Sequence, residues 1–179
     1  MTSLLNGRNF QDLFESFRES AYRLESRSRY NSPDESSAIQ RFQHGNPDTD
    51  YLWSRPWLDS IRAQTAEGKQ YRRVRVVDIP PQPYSRYALW SVQGNLAAGE
   101  DIRYLPRDAA SQLGIPHLDV WLFDSVRVAL LHFDKDDVLL GAELVAEPEA
   151  IRKHCVWRDV AWDNSLSRQD FLKLAGECE

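Results

Sequence analysis

The octapeptide HLDVWLFD, His117 to Asp124, holds the first and last residues of the pattern HxKxxxxD, with Asp119 where the lysine should stand. A histidine that attacks phosphorus or serves as acid, beside a lysine that holds the phosphate, would suit phosphodiester cleavage. Asp119 reverses the charge that must face the phosphate. At about 4 Å and an effective dielectric near 20, exchanging attraction for repulsion spans roughly 8 kcal/mol. No second HxK occurs in the 179 residues, so a working site would have to be completed across a dimer. His117 and Asp124 are therefore the catalytic alternative. The plainer reading is an exposed loop histidine ahead of a strand.

Arginines and tyrosines form the other chemical group. In AGEDIRYLPR, Ala98 to Arg107, a strand would point Asp101, Arg103 and Leu105 one way and Ile102 and Tyr104 the other, while Arg73 and Arg75 share a face of YRRVRVV. If the two strands are neighbours, these charges meet as an interstrand ion-pair network that sets the register. Ligands of open α/β sheets bind beyond the carboxyl ends of parallel strands. That end would gather Tyr84, Arg86, Arg103, Arg107 and Asp124 as a binding set for a small anionic ligand such as a phosphate, nucleotide or carboxylate.

No GxGxxG, GxxxxGK[ST], GxSxG or HExxH occurs. Cys155 and Cys178 belong to no CxxC or Cys/His cluster, and the turn DKDD, Asp134 to Asp137, lacks the glycine and distal glutamate of a calcium loop. No metal and no cofactor is expected. His132 alternates with Val128 and Leu130 and reads as an inward histidine among apolar neighbours.

These residues need elements to position them. Phe10, Leu13, Phe14 and Phe17 share a helical face; AYRLE is a short strand; Ser32, Pro33 and Glu35 stand in the order of a capping box before a helix to Phe42; Trp57, Leu58, Ile61 and Thr65 share another helical face. From Tyr71 the pattern is βα. A strand ending at Val77, a helix from Tyr84 toward Leu96 and a strand from Asp101 to Leu105 make a βαβ unit, followed by strands at Asp119, Val126 and Val138, the last two a hairpin. Pro148 opens a helix, and Ser167 with Asp170 caps a terminal one. The expectation is one α/β domain over 1–179 with a mixed sheet, in which 1–68 is mainly a helical subregion and 69–179 the α/β core.

With 42% hydrophobic residues and six Trp the chain can enclose one core. Its net charge of -5 repels phosphate backbones and anionic lipid, so no direct nucleic-acid or membrane contact is expected. No apolar run approaches the ~20 residues of a membrane span, and a cytoplasmic location is expected.

NFQDLFESFRESAYRLESR, WLDSIRAQTAEGKQYRRVRVV, NLAAGEDIRYLPR, VWLFDSVRVALLHFD and HCVWRDVAW resemble, in this order, an uncharacterised actinobacterial domain family. Its members are commonly encoded beside helix-turn-helix regulators in Streptomyces and relatives. The resemblance implies a context and no catalytic residue: a non-enzymatic accessory or sensory protein of a transcriptional regulator, which binds that partner or a small anionic ligand. The order of elements from 71 to 145 also resembles degenerate phospholipase D-type domains. That likeness implies the alternative, a phosphodiesterase or nuclease assembled across a dimer.

Overall fold

The alternating AYRLE and the β-branched VRVV lie side by side as parallel strands at the centre of one sheet. The computed structural model describes residues 4–176, so Cys178 lies outside the described residues. Strands β1 (Ser20–Glu25), β2 (Gln70–Val77), β3 (Asp101–Pro106), β4 (Val120–Phe123), β5 (Arg127–Phe133) and β6 (Leu139–Val145) run in the order β3-β2-β1-β4-β5-β6. β1, β2 and β3 are parallel; β4 pairs antiparallel with β1, and β5 and β6 continue antiparallel. This is the expected α/β fold with a mixed sheet, a βαβ unit and a hairpin.

The described part of the segment 1–68 is mainly helical and holds the short strand read at AYRLE. That strand, β1, lies between β2 and β4 with five of its six residues buried, so the segment contributes to the same sheet as the rest of the chain. Two parallel crossovers therefore precede β4. One runs from β1 to β2 through α2 (Ser36–Gln43) and α3 (Arg55–Ala66); the other runs from β2 to β3 through α4 (Pro83–Ser91) and α5 (Gln93–Ala97). The single helix expected from Tyr84 to Leu96 breaks at Val92, and Leu96 is left partly exposed.

Strand periodicity gives the sheet two chemically different faces. On one, Tyr22, Leu24, Val74, Val76, Leu105, Leu122 and Val128 make an apolar layer under α6 (Arg107–Gln112) and α7 (Pro148–Asp163). On the other, Ala21, Tyr71, Trp121, Phe123 and Ala129 pack against α3 and α1 (Gly7–Ser16). Phe14 meets Trp57, Trp121 and Phe123 edge-on at 5.2, 4.8 and 5.1 Å between ring centroids, a preferred aromatic arrangement. Beyond them α8 (Arg168–Ala175), capped by Ser167 as expected, stacks Phe171 on Tyr104 at 5.3 Å.

Both edges of the sheet are partly closed. Leu166 exchanges backbone hydrogen bonds with Tyr104 on β3, and Leu5 with Ala142 on β6, which blunts the free edges. The Leu5 contact needs a glycine beside it, because at Gly141 (φ +147°) a Cβ would lie 2.7 Å from the Leu5 carbonyl oxygen.

Candidate functional site

On the face that α1 and α3 cover, β1 and β2 carry charges at alternate positions. Their register sets Arg23 beside Arg73 and Glu25 beside Arg75. Glu25 lies among three guanidinium groups: it accepts from Arg73 Nη1 at 2.8 Å and from Arg75 Nε, and Arg23 Nε is 3.8 Å away. Glu100 accepts from Arg73 Nε at 2.8 Å and from Asn95 Nδ2 at 2.7 Å. Asp119 accepts from Arg23 Nη2 at 2.9 Å and from the Tyr30 hydroxyl. Burial alone would push the Glu25 carboxyl up, but Arg73, Arg75 and Arg23 hold it well below the usual carboxylate range. The turn into β3 depends on Gly99 (φ +102°), where a Cβ would meet Thr65 Oγ1 at 2.8 Å; Glu100 follows it directly.

This network replaces the expected one. β2 and β3 are neighbours, but Arg72 pairs with Asp101 and Val74 with Arg103, so Asp101 and Arg103 share a face with Arg72 and not with Arg73 and Arg75. Arg103 lies 4.1 Å and Arg72 5.1 Å from the Trp162 ring centroid on α7.

The expected binding set is likewise dispersed. Arg107 is fully engaged in tying the strand ends together, with Nε on Asp78 at 2.6 Å, Nη1 on the Ser26 carbonyl at 2.9 Å and Nη2 on the Val76 carbonyl at 3.4 Å. Tyr84 donates to Glu35 at 3.2 Å, and Arg86 is exposed on α4. Asp124 lies at the other end of the sheet, because β4 runs antiparallel to β1. There its carboxylate accepts from the backbone N–H groups of Arg18, Glu19 and Ser20 at 3.0, 2.8 and 3.0 Å. Against a burial effect that raises it, the Ser20, Glu19 and Arg18 N–H groups hold this carboxyl below its ordinary value. Asp124→Ala is expected to lose about 1.5–3 kcal/mol in urea unfolding, the range for hydrogen bonds to a charged group, with a further penalty for alanine at φ +53°.

His117 is exposed before β4 and Asp124 follows β4, so the strand holds the two apart at about 3.3 Å per residue. Asp119, in the lysine's place, is the buried counterion of Arg23. His132 is half-exposed and pairs with Glu143 across the hairpin at 2.9 Å; it is not inward. Asp137 is more than a solvated turn residue: it pairs with Arg27 and Arg29 and ties residues 27–31 to the β5–β6 turn. Among the described residues no three His, Cys, Asp or Glu side chains converge as a metal would require, and no helix is long and apolar enough to cross a membrane.

What the sheet does bring together is an open crevice of about 740 Å³ above Arg73 and Arg75, between α1, α3, α4, α5 and the entrance of α2. Phe14, Trp53 and Trp57 supply apolar wall, and Ser32, Ser60, Ser91 and Asn95 supply polar groups. The volume lies in the range of small-molecule sites, about 300–1,000 Å³. Arg75 is fixed at Nε by Glu25, and its two terminal nitrogens have no hydrogen-bond partner among the described residues. At the crevice wall stands Glu35, read from sequence as a capping-box acid. It makes no cap hydrogen bond: α2 begins one residue after it, and its side chain receives the Tyr84 hydroxyl. Burial pushes its carboxyl up, against Arg75 and that hydrogen bond. The signal for this site was present as Arg23 and Glu25 two residues apart on AYRLE and Arg73 and Arg75 two apart on YRRVRVV, but its meaning required knowing that β1 and β2 are paired.

Fold and site together define a single-domain α/β protein with a mixed six-stranded sheet and a crevice floored by arginines on one face. The chain belongs to the family defined by a domain of unknown function, DUF6879, whose model matches residues 8–173. A comparison with curated proteins finds no match.

Proposed function

We propose that this chain is a non-enzymatic binding domain, accessory or sensory to a helix-turn-helix transcriptional regulator, and that it recognises a small molecule bearing an acidic group in the crevice above Arg75. One observation carries the ligand reading: a guanidinium anchored at Nε by a buried carboxylate, with both terminal nitrogens unpartnered at a cavity of ligand size. Such a group is preorganised for a bidentate acid, since Glu25 has already ordered the side chain and only the outer fork remains to be satisfied. The association with a regulator rests on the resemblance to an actinobacterial family encoded beside such genes. Copurification of the tagged chain with a helix-turn-helix regulator from its own genome tests that part, and absence of any such regulator from the eluate removes it.

The ligand reading is tested by calorimetric titration with inorganic phosphate, benzoate and adenosine monophosphate. At least one acid is expected to bind saturably, with Arg75→Met weakening it about ten- to a hundredfold, the loss of one or two charge-assisted hydrogen bonds. Arg75→Met keeps Glu25 paired with Arg73, so circular dichroism should show the fold retained. An affinity that Arg75→Met leaves unchanged would remove the crevice from the proposal.

A further inference from the structure

Arg73 and Arg75 share the crevice with three carboxylates, of which Glu15 and Asp34 are exposed and Glu35 is buried. Glu35 is only 8% exposed, yet among the described residues it forms no ion pair; it lines the same space from the entrance of α2, one carboxyl oxygen receiving the Tyr84 hydroxyl. Buried carboxylates are seldom left without a cation. Arg75 is near enough to draw the Glu35 carboxyl down, but the two are not in salt-bridge contact. The rings of Phe14, Trp53 and Trp57 line the same crevice.

Each simple ligand class leaves part of this arrangement unmatched. A plain anion satisfies Arg75 but is repelled by Glu35, and a dianionic phosphate more strongly. A plain cation meets Glu35 but leaves the guanidinium fork empty, and a neutral apolar molecule would desolvate both charges without pairing either. A guanidinium and a buried carboxylate lining one crevice, with apolar wall in the same space, match a ligand whose own opposite charges sit on one carbon that also bears an apolar group.

We infer that the crevice takes an α-amino-acid zwitterion with a large flat side chain: its carboxylate lies on the outer nitrogens of Arg75, its ammonium on Glu35, and its ring against Trp53 and Trp57. This rests on the acid-binding reading of Arg75 and adds the second charge and the ring. No bond is made or broken; the site only recognises.

Three probes of one shape separate the terms. L-Tryptophan carries acid, ammonium and ring; indole-3-propionate lacks the ammonium; tryptamine lacks the acid. In calorimetric titrations of the full chain at neutral pH, L-tryptophan is expected to bind about tenfold more tightly than indole-3-propionate, one charge-assisted hydrogen bond being worth roughly that factor, and more tightly still than tryptamine. Glu35→Gln, nearly isosteric, should erase the preference between the two acids, while Arg75→Met should weaken both. The comparison among probes on the unaltered chain does not depend on either variant folding. Equal affinity for the two acids, still sensitive to Arg75→Met, overturns the zwitterion and leaves the acid reading in place. Failure of both indole acids to saturate the chain also overturns it, and the anion titrations above then decide the acid reading separately.

Discussion

Asp119→Lys, the substitution that completes HxKxxxxD, is expected to unfold the domain and not to create a hydrolase. The Asp119 carboxylate is 4% exposed and pairs with Arg23, whose side chain is 5% exposed. Removing one partner of a buried pair leaves an uncompensated charge and costs about 3–5 kcal/mol. A lysine there adds a repulsive contact of about 4 kcal/mol at 4 Å and an effective dielectric near 20. Together these rival the whole stability of a typical domain, about 5–15 kcal/mol. The Tyr30 hydroxyl, which donates to Asp119, would lose its acceptor as well. Soluble yield and far-UV circular dichroism provide the measurement, with Asp119→Asn as a milder companion that keeps the shape and removes only the charge. A folded Asp119→Lys protein that hydrolyses bis(p-nitrophenyl) phosphate would revive the phosphodiesterase alternative and refute the assignment of Asp119 as a structural counterion.

Glu25→Gln comes next in size. Glu25 is shared by Arg73 and Arg75, with Arg23 close by, so its neutralisation leaves three guanidinium groups with only Glu100 and Asp119 in direct contact. The expected loss is about 3–5 kcal/mol, or about 6–20 °C in melting temperature for a chain of this length. The pH dependence supplies an independent signature. The folded Glu25 carboxyl is held below the ordinary value of 4.5, so its contribution is complete above 4.5 and declines as the pH falls below it toward the lower folded value. Glu25→Gln should remove that decline and flatten the stability profile below pH 4.5. Replacing Glu25, Arg73, Arg75 and Glu100 together by Leu, Met, Leu and Met should recover much of the loss, because Glu100 would otherwise lose its cation Arg73 and because a buried ionic group exchanged as a whole for apolar groups of similar volume is often neutral. A single Glu25→Gln protein as stable as the parent would show that water and not Glu25 compensates the three arginines. Glu25, Arg73 and Arg75 belong to one network, so the losses of single variants should not add.

Much of the architecture could be read locally. Phe10, Leu13, Phe14 and Phe17 announced α1 through helical spacing, the β-branched run before Val77 announced β2, and Ser167 with Asp170 announced the α8 cap, which the structure closes with Ser167 Oγ accepting from the Asp170 N–H at 3.1 Å. Each depends on residues within a few positions of one another, where backbone sterics and side-chain periodicity act. The βαβ unit followed because a parallel crossover has one favoured hand and needs a helix of that length.

The sequence by itself determined which residues along each strand share a face, since alternation has a period of two and needs no partner. It placed Arg23 with Glu25, Arg73 with Arg75, and Asp101 with Arg103. Only the tertiary structure decided which of these pairs meet, because the pairing of β1 with β2 joins positions about fifty residues apart and a shift of one residue turns a strand over. That long-range register set Glu25 among arginines and left the outer nitrogens of Arg75 open to the crevice, while the register of β2 with β3 put Arg103 on the opposite face against Trp162.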